Sequence, residues 1–141
     1  SSDVCSSDLR RTVDYELISD PDLPQINVVP QDIGRVLLNL INNAIQALTT
    51  SSQLIKKITI EARHIEGGIL LTVADNGDGI PEASQKQLFE LLSSSKSSGM
   101  GLGLWLCKHI VTRHGGSIAF EANPGGGAKF ILKFPEAIEQ I

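Results

Sequence analysis

The chain has 141 residues, of which 41% are hydrophobic and 20% are charged, and its formal net charge is −4 at pH 7. That length supports one domain with one core and is too short for two. No apolar run approaches the ~20 residues that span a bilayer, and no Lys/Arg cluster forms the basic surface that would bind nucleic acid.

Residues 1–9 repeat Ser-Ser-Asp and lack the apolar core of a signal peptide, so we exclude them from the fold. They resemble the translation of a sequencing adapter, and the alternative is a native disordered tail. Cys5 lies in this segment, which leaves Cys107 as the only cysteine of the domain and excludes a disulfide framework or a CxxC metal site. Cys107 falls in an apolar helical pattern, so we expect a buried thiol and a reducing, cytoplasmic setting.

The first half of the domain predicts a strand, a long helix and two further strands. Residues 13–18 alternate as a short strand, and from Pro30 the apolar residues recur at three- and four-residue steps as far as Leu48. Residues 57–63 alternate as a half-buried strand. Residues 69–74 form a nearly continuous apolar run, which predicts a strand that ends at Asp75.

The second half predicts helices, a lid and a hairpin. Pro81 opens a short helix through Leu92, with Leu88 and Phe89 as its buried residues, and the Ser/Gly-rich residues 93–101 look like a lid. A last helix and an antiparallel hairpin follow, over residues 102–113, 117–122 and 128–134.

The order β-α-β-β-α-α-β-β predicts an α+β fold, in which about three helices cover one face of a mixed, mostly antiparallel sheet. This arrangement is a two-layer α/β sandwich. We expect the domain to span residues 10–135, with a short C-terminal tail over residues 136–141.

Two amides interrupt the apolar stripe of the long helix. Asn39 and Asn43 are four residues apart, so they lie one turn from each other on the same face, while Asn42 points elsewhere. One interpretation is that the pair borders the core and is solvated. The other is that an amide oxygen ligates Mg²⁺, which takes its remaining oxygen ligands from water and from substrate phosphates.

Asp75 follows the apolar strand and opens the segment Asp-Asn-Gly-Asp-Gly. A carboxylate at the mouth of a buried strand accepts hydrogen bonds, and the adenine amino group donates one where guanine has a carbonyl. Asp75 would therefore select ATP over GTP. Gly77 and Gly79 allow close backbone approach and positive φ. A plain Asp-Gly turn explains Asp78 and the glycines but leaves Asp75 itself unexplained.

Three alternating glycines, Gly99, Gly101 and Gly103, directly precede a helix. Free backbone amides and the positive end of the helix dipole make an anion site there, so we expect phosphates to bind. The pattern matches neither a P-loop nor a Rossmann motif. Lys96, in the preceding loop, either reaches a phosphate as a point charge or is an ordinary solvated lysine.

In this order, these segments resemble the catalytic and ATP-binding domain of sensor histidine kinases, in the wider family that includes gyrase, Hsp90 and MutL ATPases and has the Bergerat ATP-binding fold. Residues 39–44 look like the N box of that family and residues 75–80 like its first Gly box. Residues 88–90 look like its F box and residues 99–104 like its second Gly box. Residues 114–118 are similar to the usual end of the last helix.

The resemblance implies ATP and Mg²⁺ as cofactors. It implies that Asn43 is the Mg²⁺ ligand, that Asn39 helps to position the phosphates and that Asp75 binds the adenine amino group. The remaining residues that it places at the nucleotide come from the two Gly boxes, namely Gly77, Gly79, Ile80, Gly99, Gly101, Leu102 and Gly103.

The sequence departs from the family at two places. Related kinases commonly continue the F box with Pro and Phe, where this chain has Leu91 and Leu92, which affects the packing of the lid. Hydrolytic relatives carry a Glu as general base for water where this chain has Asn39. Water needs such a base, whereas a histidine with a pKa of about 6.5 is largely neutral and nucleophilic at pH 7. Asn39 therefore favours phosphotransfer over hydrolysis.

We therefore expect an Mg-ATP-binding kinase domain that donates the γ-phosphoryl to a histidine on a separate dimerisation domain, from which it passes to a response regulator. None of His64, His109 and His114 has the sequence context of an acceptor, so this chain, which we expect to be monomeric and cytoplasmic, should not phosphorylate itself. The alternatives are a serine-directed anti-sigma kinase, a gyrase-like ATPase, and a degenerate interaction module that binds no nucleotide.

Overall fold

A computed structural model describes residues 13–90 and 100–137 of the chain, without the side chains of residues 100–102. It contains a five-stranded sheet in the order β1-β2-β3-β5-β4. β1 pairs with β2 in parallel and all other neighbours are antiparallel, which confirms the predicted mixed sheet. The elements are β1 (Val13–Ser19), α1 (Pro30–Thr49), β2 (Lys56–Ile65), β3 (Gly68–Asp75), α2 (Glu82–Gln85), α3 (Met100–Arg113), β4 (Ser117–Ala122) and β5 (Ala128–Pro135).

One face of the sheet carries the core. Successive side chains of a strand alternate between the two faces, so Leu71, Val73 and Asp75 of β3 share a face. Ile58 of β2 pairs with Asp75 in the antiparallel register and is fully buried in the core. The acidic residue therefore lies at the end of a core-facing row of apolar side chains.

Helix α1 supplies most of the second layer. It starts at Pro30, whose fixed φ suits the first helical position, and it packs against α3 and β3. Its buried side chains recur at three- and four-residue steps, as the sequence predicts, and they are Ile33, Val36, Leu40, Ala44 and Leu48.

Helix α2 is shorter than predicted. Of the predicted residues 81–92, positions 91 and 92 lie outside the described residues, and the helix covers only Glu82–Gln85 of the rest. Leu88 N and Glu90 N then donate to carbonyls three residues back, as in turns. Between Pro81 and Leu88 the only apolar residue is Ala83, so this stretch lacks the stripe of apolar residues that holds a longer helix against a core. Leu88 is buried and Phe89 packs against the core, so the two side chains themselves were predicted correctly.

The last helix also differs slightly from its predicted bounds. Helix α3 begins at Met100 and not at Leu102. Backbone hydrogen bonds continue past the predicted domain end at residue 135, because Glu136 N donates to Gly67 O and Ala137 N to Gln25 O. No helix in the described ranges is long and apolar enough to cross a membrane.

Candidate functional site

Asp75 is a buried acidic residue in the core, and its carboxyl group has defined hydrogen bonds. It is only 4% exposed, and its Oδ1 accepts hydrogen bonds from Gly77 N (2.8 Å) and Ala128 N (3.4 Å). Burial raises the pKa of the Asp75 carboxyl above its ordinary value, and the two backbone hydrogen bonds oppose that rise. Its Oδ2 has no hydrogen-bond partner among the described residues, so one oxygen is fixed and the other is available to a ligand.

A cavity of about 210 Å³ lies beside this carboxyl, between α1 and the ends of β3 and β5. Its wall is mainly apolar, with a few polar groups, which is the composition of a small-molecule site. The lining residues are Asn43, Ala44, Gln46, Ala47, Thr50, Asp75, Gly79, Ile80, Ala128 and Phe130.

The two glycines after Asp75, Gly77 and Gly79, are required for different structural reasons. A Cβ on Gly77 would lie 3.1 Å from Asp75 Oδ1 and 3.3 Å from Ala47 O, so a side chain would crowd the loop against α1. Gly79 lines the cavity with φ +82°, a conformation that other residues rarely adopt. The loop from Asp75 to Gly79 thus brings its backbone close to the Asp75 carboxyl at Gly77 and changes direction at Gly79, at the edge of the cavity.

Asn43 lines the same cavity from the helix. Its Nδ2 is buried and has no hydrogen-bond partner among the residues that the structure describes. A buried N–H donor without a partner is costly, so Asn43 Nδ2 is a candidate to donate to a ligand or to an ordered water. Asn43 and Asp75, which separate sequence patterns singled out, therefore line one cavity.

Asn39 is placed differently. It is absent from the cavity lining, and its Nδ2 contacts Cys107 Sγ at 3.7 Å, across the packing of α1 against α3. Asn42, between the two, is exposed. The structure thus puts only one of the two candidate helix amides in contact with the described cavity.

The predicted phosphate-binding segment is only partly described. Lys96 and Gly99 lie outside the described residues, as do Leu91 and Leu92. Gly101 and Gly103 lie within the first turn of α3 instead of in the loop that precedes it, because the helix begins at Met100. A Cβ on Gly103 would have no contact within 4 Å, so crowding by described neighbours does not explain this glycine.

Cys107 is fully buried, as predicted, and burial raises the pKa of its thiol, against the contact with Asn39. Since the thiolate is the reactive form, we expect the folded domain to be inert to thiol reagents. In a Cys5→Ser variant, Ellman's reagent should modify one thiol per chain after unfolding in guanidinium and essentially none before. Rapid modification of the folded protein would contradict this burial.

None of the three histidines lines the cavity. His64 and His109 are exposed, and His109 stacks on Trp105. His114 is half-buried at the end of α3, where its Nδ1 lies 2.8 Å from Ile110 O. These positions fit structural or surface roles.

Several residues of the site were missed in the sequence. Ala47 and Thr50 follow Asn43 at helical spacing, four and seven residues on, so that spacing could have identified them. Ala128 and Phe130 come from β5, and only the pairing of β3 with β5 brings them beside Asp75. No local signal marks them.

Comparison with known proteins gives concordant matches. A family model for the histidine kinase-, DNA gyrase B- and HSP90-like ATPase matches residues 28–138. The alginate biosynthesis sensor protein KinB of Pseudomonas aeruginosa is 38% identical over 127 residues, 89% of this chain and 21% of that protein. The signal transduction histidine-protein kinase AtoS of Escherichia coli K12 is 34% identical over 133 residues, 94% of this chain and 21% of that protein.

A solved structure is also similar to this chain. The nucleotide-free catalytic domain of histidine kinase ThkA superposes with a TM-score of 0.76 at 26% identity, over 96% of this chain and 87% of that one. By contrast, the chain spans about a fifth of the length of the two curated relatives. The similarity is thus to one catalytic domain of larger proteins.

Proposed function

Because the chain belongs to the histidine kinase-, DNA gyrase B- and HSP90-like ATPase family, we propose that it binds Mg-ATP in the cavity beside Asp75 and donates the γ-phosphoryl to a histidine. The family match and the similarity to a histidine kinase catalytic domain support ATP as the nucleotide. The observation that carries the proposal is the Asp75 carboxyl, held by two backbone N–H groups at an apolar cavity.

The cavity suits a purine base that carries a hydrogen-bond donor on its edge, as adenine does. Ala44, Ile80 and Phe130 offer apolar surface to the ring faces, and the Asp75 Oδ2 accepts from the exocyclic amino group of adenine. Guanine would place a carbonyl against that oxygen and leave a buried acceptor unpaired. Discrimination by such an unpaired group is strong, so ATP is favoured over GTP.

The residues present fit a magnesium ion that is bound mainly by the nucleotide. Asn43 lines the cavity, where its Oδ1 would ligate the ion and its Nδ2, unpartnered among the described residues, would donate to a nucleotide oxygen. The described ranges contain no cluster of three His, Cys, Asp or Glu side chains that could hold a metal alone. Mg²⁺ keeps several waters and shares phosphate oxygens, so an amide ligand suffices. When bound, the ion would neutralise charge on the phosphates.

Phosphoryl transfer by this chain depends on positioning and charge more than on a protein base. Asn39 has an amide, which cannot act as general base for water, so hydrolysis is disfavoured relative to transfer to a nucleophilic histidine. We assign the phosphate side of the site to Gly101, Leu102 and Gly103 in the first turn of α3, together with Lys96 and Gly99, which lie outside the described residues.

We place the acceptor histidine on a separate dimerisation domain and the final phosphate on the receiver domain of a response regulator. The sensor kinase names of the relatives support these partners. The single buried free thiol of the described residues, Cys107, fits a reducing compartment, so we assign the chain to the cytoplasm.

The test of this function joins a dimerisation domain that carries the acceptor histidine to the N-terminal side of Val13 and supplies Mg²⁺ with ATP labelled at the γ-phosphate. We expect acid-labile, base-stable label on the joined protein and none on the chain alone. Acid-stable label on serine would favour a serine kinase. Release of free phosphate without an acceptor would favour an ATPase.

A further inference from the structure

The loop between β4 and β5 folds against the Asp75 segment, although its sequence, Asn123-Pro124-Gly125-Gly126-Gly127, predicts only a turn. We call residues 123–127 the hairpin loop. It is closed by its own backbone, because Asn123 N donates to Gly127 O (3.0 Å) and Gly126 N donates to Asn123 O (2.8 Å). These hydrogen bonds give the hairpin loop a defined conformation, so it can hold the residues that it contacts in place.

The hairpin loop and its next residue hold Asp75 at three points. Asn123 Nδ2 donates to the backbone oxygen of Asp75 at 2.9 Å. Gly127 packs on that same carbonyl so closely that a Cβ would lie 1.9 Å from its oxygen. Ala128 N donates to the Asp75 Oδ1. Main chain and side chain of Asp75 are thus both fixed from the hairpin side.

The hairpin loop also contacts the other end of the same segment. A Cβ on Gly79 would lie 3.4 Å from Gly127 O, so these two backbones are in contact distance. Asp75 and Gly79 both line the cavity, whereas Asn123 and Gly127 do not. Any effect of the hairpin loop on a ligand therefore passes through the lining residues that it contacts or adjoins, which are Asp75, Gly79 and Ala128.

We infer that Asn123 and Gly127 are positioning residues for base recognition: they hold the Asp75 carboxyl where it accepts from the adenine amino group. This inference rests on the proposed function, since it needs a purine base in the cavity. It assigns the choice of adenine over guanine partly to a loop that the ligand does not touch.

The ratio of adenine to guanine affinity separates this role from a general structural one. A displaced Asp75 carboxyl loses its hydrogen bond to adenine, whereas guanine never makes that bond. Loss of folded protein lowers both affinities in the same proportion. The ratio therefore falls only if Asp75 has moved.

Two glycines of the hairpin loop form a matched pair for the test. Gly125 and Gly127 have φ of +92° and +103°, so alanine is strained in the backbone at both. A Cβ on Gly125 would meet nothing within 4 Å, while one on Gly127 would collide with the Asp75 carbonyl. Gly125→Ala thus reproduces the backbone strain without displacing Asp75.

The experiment titrates ADP and GDP, each with Mg²⁺, into the wild-type chain and into Asn123→Ala, Gly127→Ala and Gly125→Ala by calorimetry. We expect Asn123→Ala to reduce ADP affinity about 2- to 12-fold, the worth of one hydrogen bond, with GDP affinity nearly unchanged. Gly127→Ala should reduce the ADP to GDP ratio at least as much. Gly125→Ala should keep the wild-type ratio.

Wild-type preference for ADP together with an unchanged ratio in Asn123→Ala and Gly127→Ala would overturn this inference and leave the proposed function intact. Absence of saturable ADP binding by the wild type would overturn both. Thermal unfolding monitors folding of each variant, and if Gly127→Ala does not fold, the ratio in Asn123→Ala against Gly125→Ala decides.

Discussion

Replacing Asp75 by Asn should weaken ATP binding by about 1 to 3 kcal/mol, the cost of a buried polar group left badly matched. In the native domain, Gly77 N and Ala128 N both donate to Oδ1. An asparagine oxygen would take that position, because only it can accept those two bonds. Its amide nitrogen would then face the cavity and meet the adenine amino group, donor against donor.

The same substitution should not destabilise the nucleotide-free domain. Burial raises the pKa of the Asp75 carboxyl, so the folded state retains its proton to a higher pH than the unfolded state does. The contribution of this group to stability therefore falls as pH rises from the unfolded value of about 3.9 through the raised folded value. Asparagine never ionises and removes this loss.

Calorimetry with ATP and thermal unfolding at several pH values check the prediction together. We expect weaker binding, an unfolding temperature at pH 7 no lower than that of the wild type, and a smaller decline of stability with rising pH. Unchanged ATP affinity in a folded Asp75→Asn variant would contradict the assignment of Asp75 to the base.

Replacing Asn43 by Ala should weaken binding of ATP in the presence of Mg²⁺ by about 10- to 100-fold, the range found when groups that merely orient metal ligands are removed. Binding in the presence of a chelator should fall less, because the lost amide then has no ion to hold. The domain should stay folded, since Asn43 Nδ2 has no hydrogen-bond partner to lose among the described residues.

Asn42→Ala is the matched control, because Asn42 is the same residue type on the adjacent, exposed position of α1. We expect this variant to bind ATP like the wild type with and without Mg²⁺. Equal losses for Asn43→Ala in Mg²⁺ and in chelator would argue that Asn43 contacts the nucleotide directly and does not ligate the metal.

Local patterns predicted the parts of the site that lie on long, periodic elements. The helical spacing of apolar residues identified α1 and the amide at Asn43 beside the core. The apolar run that ends at Asp75 predicted its position, and Asp75 is the last residue of β3. In both cases a regular pattern of buried apolar residues identifies the element, and the one polar residue that interrupts or ends the pattern stands out.

Contacts between distant segments could not be predicted in this way. Asn123 and Asp75 are 48 residues apart and meet because β3 pairs with β5 in a register that aligns Ala74 with Lys129. Asn39 contacts Cys107 across two helices for a similar reason. Helix α2 was overestimated because Pro81 predicts a start, and nothing in the adjacent Leu88 and Phe89 marks the end.

The central claim is that this cavity binds an adenine nucleotide with Mg²⁺. Its most direct test is calorimetric titration of the wild-type chain with a non-hydrolysable ATP analogue, in Mg²⁺ and in chelator, beside the matching GTP analogue. We expect one saturable site that is tightest for the ATP analogue with Mg²⁺. No saturable binding, as for a degenerate interaction module, or equal affinity for the two analogues would contradict the claim.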